Sequence, residues 1–414
     1  MVVGDRFGLF LSGAKYLIRC SFSAAANVRY EIPREIPRMI WYQLALTALL
    51  VLLLAIALAN YATFARIRRN AIPLHPLPAS ILVPARNEER NIERCVGSLL
   101  KQEYPEFEVV VLNDNSTDAT GEILQRLAAA NPRLTILEGG PLPSGWVGKN
   151  WACHQLARAA AGTLLLFTDA DTDHSPESLR AAVALMQQQR LDLLSGVPRQ
   201  TMLTFWEKVI VPMTQFLYFA YLPNVFITRL RNPQFAAFNG QFMLFRREAY
   251  WKIGGHESVR GALIEDLVIG RRAKVHGLRT ALATAVETVR CRMYTSLPEI
   301  LEGFAKNLVP GFGYSLPAVI GFMAATLLLY VVPVVMVVVG LAVGDCSVAM
   351  VTLPAIQLAI AATMRGIMAI RFGMGWEQLL LHPLSAAMAA VVAANSIRWH
   401  FGKRGASWKG RRYV

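Results

Sequence analysis

Leu164 to Asp171 reads Leu-Leu-Leu-Phe-Thr-Asp-Ala-Asp, an apolar run of strand length that stops at two carboxylates spaced i, i+2. In an extended chain such residues point the same way. A strand buried on both faces reads as a continuous apolar run, and the C-terminal edge of a parallel sheet is where α/β folds bind ligands. Asp169 and Asp171 are therefore expected together at the mouth of a sheet. Two hard anionic oxygens there suit a divalent ion that substrate phosphates also bridge. The plainer reading is a strand that ends in a solvated acidic turn.

The rest of the chain narrows the choice. Its hydrophobic content is 54%, too high for a wholly water-facing protein. Lys and Arg number 42 against 28 Asp and Glu, a formal charge of +14. The basic residues flank apolar stretches, which favours anionic lipid over nucleic acid, and no nucleic-acid-binding motif is present. The five cysteines are scattered, with no C-x-x-C pair, so neither a disulfide framework nor a zinc site is expected.

Ile40 to Phe64 is apolar almost throughout, with Trp41 and Tyr42 at one end and Arg66, Arg68 and Arg69 at the other. About 20 apolar residues span a bilayer, and aromatic and basic flanks anchor the ends. Further apolar stretches lie near Ser315 to Val343, Ser347 to Ile370 and Leu379 to Ile397. Between them the period changes. Ser80 to Pro84, Glu108 to Leu112, Leu134 to Leu137 and Thr163 to Thr168 read as strands. Helical patterns separate them at Glu89 to Gln102, Thr117 to Ala130 and Asn150 to Ala160. Alternating βα units imply an α/β domain with a mostly parallel sheet. The expected division is an N-terminal extension over 1–38, an anchor over 39–65, a catalytic domain over 78–310, membrane or interfacial helices over 315–400 and a basic tail over 401–414.

Two corners of this sheet carry polar groups. Pro84-Ala85-Arg86-Asn87-Glu88 follows the first strand, and Asn113-Asp114-Asn115-Ser116 follows the second. Each is a serviceable helix cap, and each also offers groups that bind a base and its phosphates. Gly148-Lys149 is not a phosphate loop, because Pro143 stands where the first Gly is needed and Asn150 where Ser or Thr would hold magnesium. Lys149 at a helix start remains a candidate phosphate or ribose contact. Glu265-Asp266 reads either as an acidic helix start, partnered by Arg271 and Arg272 one turn later, or as the site of a base.

Taken together, Pro84 to Glu88, Asp114, Gly148-Lys149 with Ala152, Asp169-Ala170-Asp171, Gly240-Gln241, Arg246-Arg247 and Glu265-Asp266 resemble family 2 glycosyltransferases in order and spacing. The resemblance covers roughly 80–308. Gly145 to Cys153, Gly254-Gly255-His256 and Trp408 to Tyr413 are similar to the membrane-anchored branch that glycosylates carotenoids, hopanoids and related lipids. It implies a GT-A fold and an inverting transfer that depends on Mg²⁺ or Mn²⁺. Carried over by position, Pro84, Ala85, Arg86, Glu88 and Asp114 would hold the uracil and ribose of a UDP-linked sugar. Lys149 would lie near the ribose or diphosphate. Asp169 would orient the donor, Asp171 bind the metal and Asp266 serve as base, with Gly240, Gln241 and Glu265 on the acceptor side.

Processive polysaccharide synthases of that family carry Gln-x-x-Arg-Trp after the acidic pair, and nothing between Asp266 and Ser315 matches it. Transfer to a hydroxyl or carboxyl of a membrane lipid is thus the leading expectation. A polysaccharide synthase and a catalytically silent nucleotide-binding membrane protein are the alternatives. Because nucleotide sugars are cytoplasmic, the catalytic domain of a multi-pass inner-membrane protein should face the cytoplasm. The basic tail would then lie outside if Leu379 to Ile397 spans, against the positive-inside rule. Phe205 to Leu230 is too apolar for a solvated helix and is broken by Pro212 and Pro223, so it is expected to lie in the lipid headgroup region. Burial in the domain core is the alternative for that stretch.

Overall fold

The computed structural model describes residues 36–402, 406–408 and 411–413. The expected extension over 1–38 and the basic tail over 401–414 lie largely outside the described residues. The chain divides into two units, Met1–Tyr42 and Gln43–Val414. Of the first, the described residues are the opening turns of a helix, Ile36–Thr63. All that follows concerns the second.

Among the described residues, thirteen strands follow in chain order. They begin with β1 (Ala65–Arg66), β2 (Ala79–Ala85), β3 (Phe107–Asn113), β4 (Leu134–Glu138), β5 (Leu164–Thr168) and β6 (Thr172–His174). Next come β7 (Leu193–Val197), β8 (Arg199–Gln200), β9 (Phe242–Arg246), β10 (Thr280–Thr284) and β11 (Val289–Cys291). The last two, β12 (Ala406–Trp408) and β13 (Arg411–Tyr413), pair only with each other. The main sheet has eight strands in the order β1-β10-β7-β9-β5-β2-β3-β4. Only β9 runs antiparallel to its neighbours, β5 and β7. The sequence expectation of a mostly parallel sheet therefore holds.

Both faces of this sheet are covered, which is why its strands read as unbroken apolar runs. Ile81, Val83, Val109, Val111, Leu164 and Leu166 pack on one face. Their neighbours Leu82, Val110, Leu112, Leu165 and Phe167 pack on the other. Each fully buried Val or Leu contributes roughly 1.5–3 kcal/mol. Gly162 sits where a β-carbon would stand 2.6 Å from the Ala79 carbonyl carbon, so only glycine lets the chain enter β5 beside β2.

The strand directions collect the candidate residues at one edge. β2, β3 and β5 are parallel and end at Ala85, Asn113 and Thr168. Because β9 is antiparallel, it begins at that edge, with Phe242 paired to Thr168. Gly240 and Gln241 therefore arrive beside Asp169. Arg246 lies at the opposite edge, paired to Leu164. There its Nε donates to the Leu191 carbonyl, and Arg247 Nε donates to the Gly162 carbonyl at 2.7 Å. The Arg246-Arg247 pair fastens strand ends and stands away from the site.

Among the described residues, four helices are long and apolar enough to cross a membrane: Arg38–Thr63, Leu316–Val343, Val348–Phe372 and Gln378–Phe401. Phe205 to Leu230 departs from expectation. It forms three short helices, Phe205–Ile210, Pro212–Ala220 and Asn224–Arg229. Phe216 and Phe219 are fully buried against Leu50, Met364, Phe372 and Ala386, residues of the apolar helices. The prolines break the stretch into pieces short enough to turn their aromatic faces inward, so these two rings join the sheet domain to the helices. The side chains exposed along this stretch include Phe205 and Phe226.

Candidate active site

The two polar corners are stitched together. Asn87 and Asn115 each adopt positive φ, 51° and 52°, turning the chain sharply after β2 and β3. Asn87 accepts from the Thr117 backbone N–H at 2.8 Å, and the Asn87 N–H donates to Ser116 Oγ at 3.1 Å. Arg86 crosses between the corners, and its Nη1 donates to the carbonyls of Asp114 at 2.6 Å and Asn115 at 3.2 Å. Pro84, Ala85, Arg86, Glu88 and Asp114 all line one cavity. They are brought together as the sequence reading requires.

Deeper in the same cavity stand the acidic groups. Lys149 Nζ lies 2.8 Å from Asp169 Oδ1 and 2.8 Å from Glu265 Oε1. The partner of Glu265 is thus Lys149, from a helix far away in sequence. Arg272 instead donates to the Ile253 carbonyl. Burial works against the charge of Lys149, but Asp169 and Glu265 outweigh it and hold the ammonium well above its ordinary value. Burial likewise works to raise Glu265, and Lys149 outweighs it, so the carboxyl is held low.

Asp266 behaves differently. Its Oδ2 accepts the Gly240 N–H at 2.9 Å and its Oδ1 accepts the Leu267 N–H at 2.7 Å. Burial pushes its carboxyl up to about 6, and adjacent Glu265 adds to the rise against the pull of Lys149 and the two amides. Two neighbouring carboxyls whose environments drive them apart, one held ionised and one poised near neutrality, form an arrangement suited to proton transfer.

The surroundings fix these groups in place. Asn150 is fully buried and its Nδ2 donates to the carbonyls of Val259, Arg260 and Ala262 at 2.9, 3.1 and 2.9 Å. It ties the Lys149 helix to the loop that leads into the helix Glu265–Val275. Gly255, with φ 49°, passes so close to Tyr250 that a β-carbon would stand 2.6 Å from its ring. That turn seats His256, whose Nδ1 is 2.8 Å from the Tyr250 hydroxyl; burial pushes His256 down to about 3 and keeps it neutral. Beneath Asp169, the hydroxyls of Thr168 and Thr172 both lie 3.1 Å from His174 Nε2, and Thr172 Oγ1 donates to the Asp169 carbonyl at 2.8 Å. The Gln241 side chain bridges inward: its oxygen accepts from Gln200 and its nitrogen donates to Cys291 Sγ, both at 3.0 Å.

The cavity has a volume of about 710 Å³. It extends beyond Asp266 to Lys306 and Asn307 of the helix Leu297–Gly311, then to residues of the apolar helices. Burial holds Lys306 below its ordinary value. Asn307 Oδ1 is buried without a hydrogen-bond partner among the described residues. Sequence reasoning passed over both. The signal was present, a Lys-Asn pair inside an otherwise apolar helical stretch, Phe304-Ala305-Lys306-Asn307-Leu308-Val309. Asp169 and Asp171 give a donor set of hard oxygens. No group of three or more His, Cys, Asp or Glu ligands occurs among the described residues. Such a set fits an ion that completes its shell with phosphate oxygens and water, as Mg²⁺ and Mn²⁺ do.

Residues 80–254 match the model of glycosyl transferase family 2. A 4,4'-diaponeurosporenoate glycosyltransferase of Staphylococcus aureus (strain MRSA252) is 28% identical over 298 residues, covering 70% of this chain and 76% of that protein. Among solved structures, the mannosyltransferase PcManGT from Pyrobaculum calidifontis, in complex with GDP-Man and Mn²⁺, superposes with a TM-score of 0.49 at 19% identity, over 86% of this chain and 97% of that one. S. aureus TarS 1–349 in complex with UDP-GlcNAc gives a TM-score of 0.40 at 16% identity, over 82% and 99% of the two chains. The polar corners, Lys149, Asp169 and Asp171 all lie within the matched stretch: residues 80–254 form a glycosyl transferase family 2 domain, on a chain similar over most of its length to a glycosyltransferase.

Proposed function

We propose that the enzyme transfers a sugar from a nucleoside-diphosphate donor, UDP-linked, to a hydroxyl or carboxyl of a membrane lipid, with inversion at the anomeric carbon. The observation that carries this reading is the single cavity. It runs from the polar corners at Arg86 and Asp114, past Asp169, Asp171 and Asp266, into the apolar helices. One end suits a nucleotide and the other a hydrocarbon. The S. aureus relative, named for a carotenoid acid, supports a lipid acceptor.

Pro84, Ala85, Arg86, Glu88 and Asp114 hold the base and ribose in this scheme. Asp169, gripped by Lys149, orients the donor, and Asp171 is the direct metal ligand. A bound divalent ion supplies Lewis-acid neutralisation of the departing diphosphate. Asp266 accepts the acceptor's hydroxyl proton as the new C1–O bond forms and the C1–O bond to phosphate breaks, its electron pair leaving with the diphosphate. Attack on the face opposite the leaving group gives inversion. Gly240, Gln241 and Glu265 shape the acceptor side. The catalytic domain faces the cytoplasm of a multi-pass inner-membrane protein, where nucleotide sugars are found, within the domain limits read from the sequence.

The test is to incubate vesicles carrying the full chain with radiolabelled UDP-hexoses and a bacterial lipid extract. Label entering the organic phase with the wild-type chain, and absent with Asp266→Asn, is expected. Label found only in water-soluble polymer would overturn the lipid reading in favour of a polysaccharide synthase.

A further inference from the structure

The far limb of the cavity is built by elements of two kinds. Phe304, Leu308 and Phe312 come from the helix Leu297–Gly311 and its end, Phe322 from the candidate span Leu316–Val343, and Ala389 and Val392 from the candidate span Gln378–Phe401. All six are apolar, and three of them belong to helices long enough to sit in a bilayer. A limb walled in this way suits an apolar occupant.

Gly311 lines the same cavity. A β-carbon built there meets nothing within 4 Å. Gly303, about two turns earlier in the same helix, is different, because a β-carbon there would run into the Tyr294 ring. Gly311 does not have the positive φ that favours glycine, as Gly313 does. Glycine weakens a helix relative to alanine. Gly311 therefore borders open cavity space that any larger side chain would fill.

We propose that this limb seats the hydrocarbon chain of the acceptor, alongside the Leu316–Tyr330 and Gln378–Phe401 helices, and that Gly311 sets how bulky a chain can pass. The proposal rests on the lipid-acceptor reading above and adds the location of the chain and the residue that selects it. The occupant is the apolar tail of a single amphiphile, because the limb is continuous with the cavity that holds Asp266, and the tail's head must reach that carboxylate.

The open space at 311 makes the test direct. The full chain, its Gly311→Ala variant and its Gly311→Phe variant are placed in phosphatidylethanolamine–phosphatidylglycerol vesicles with hexadecanol bearing a terminal diazirine. After photolysis, labelled peptides are mapped by mass spectrometry. The wild-type chain should be labelled within 304–322 and 389–392, the alanine variant nearly as much, and the phenylalanine variant at least about tenfold less. Titration with UDP, read at the other end of the cavity, checks that each variant is folded, and Gly311→Leu replaces Gly311→Phe if the latter is not. Equal labelling of all three chains, or labelling only on outward faces of the spans, overturns the proposal. Labelling as expected without sugar transfer to any lipid overturns the lipid-acceptor reading but leaves a chain-binding limb with Gly311 as its filter.

Discussion

Gly240 donates its backbone N–H to Asp266 Oδ2 at 2.9 Å, while a β-carbon on Gly240 would stand 3.5 Å from the Asp266 β-carbon. The same methyl would lie 3.4 Å from both Glu265 Oε1 and Lys149 Nζ. These are ordinary contacts, so Gly240→Ala should fold. The methyl would nevertheless occupy the space among the acidic pair and its lysine, where the proposed scheme brings donor sugar and acceptor oxygen together. Displacing a reacting group by a fraction of an ångström costs catalysis heavily, so transfer should fall about 10²-fold. Melting in detergent should stay within a degree or two of wild type. A variant that melts much earlier would show that the glycine serves packing.

Asp266 should govern the acid side of the pH–rate profile. Its carboxyl is pushed up from 3.8 to about 6 by burial and Glu265, and in the proposed role of base it must be ionised to work. Transfer should therefore rise as pH climbs through about 6. The same shift has an opposite consequence for stability. The folded value lies above the unfolded one, so folding favours the protonated form, and stability falls as pH rises from 3.8 to about 6. Asp266→Asn should thus melt higher than wild type at neutral pH while losing about 10²-fold or more in rate. Nucleotide binding should be nearly unchanged. A variant that no longer binds UDP although folded would assign Asp266 to the donor side.

Excess chelator should abolish transfer, and Mg²⁺ or Mn²⁺ should restore it. Asp171→Ala should remain inactive at saturating metal, because the proposed scheme makes Asp171 the direct ligand. Asp169 is anchored by Lys149 at 2.8 Å, so Asp169→Asn should weaken donor orientation and leave metal-dependent nucleotide binding measurable by calorimetry. Undiminished turnover in chelator would remove the metal from the scheme.

What the sequence showed and what it hid follow from locality. β2, β3 and β5 were legible because strands buried on both faces carry unbroken apolar runs, and the carboxylates at their tips follow from alternation along a strand. Helix limits were read less well: Glu89 to Gln102 was expected where Ile92–Leu99 is found, since the residues after Glu88 engage the neighbouring corner, the Glu89 N–H donating to Asp118 Oδ2 at 3.1 Å. The partnership of Lys149 with Glu265 joins residues far apart in sequence, and nothing local to either signals it. Lys306 and Asn307 were hidden because a polar pair within an apolar helix acquires meaning only once the cavity beside it is known.

Phe219 illustrates how composition misleads about exposure. An apolar stretch broken by Pro212 and Pro223 suggests a segment in the headgroup region, yet the Phe219 ring lies 6.4 Å from Phe64 and 5.8 Å from Phe372, fully buried. Truncating a buried Phe to Ala costs about 3–5 kcal/mol. Phe219→Ala, and still more the Phe216→Ser, Phe219→Ser pair, should lower the melting temperature. Lipid transfer and donor hydrolysis should be lost together. Selective loss of lipid transfer with unchanged melting would return this segment to the membrane surface.

Pro212 leaves a gap that a residue from another helix fills. Lacking an N–H, Pro212 cannot donate to the Lys208 carbonyl one turn back. Gln378 Nε2 donates to that carbonyl at 3.1 Å, and Gln378 Oε1 in turn accepts from Arg365 Nη2 at 2.8 Å. Gln378 and Arg365 are both fully buried, so each bond that is lost leaves a polar group stranded. Gln378→Ala should cost about 1–3 kcal/mol in the wild-type background. In the Pro212→Ala background the helix regains its own donor for Lys208. The same Gln378→Ala change should then cost less, by an interaction energy of about 0.5 kcal/mol or more. Thermal unfolding of the four chains in one detergent measures the cycle. Strict additivity would mean that Gln378 acts through Arg365 alone and that the carbonyl freed by Pro212 is satisfied elsewhere.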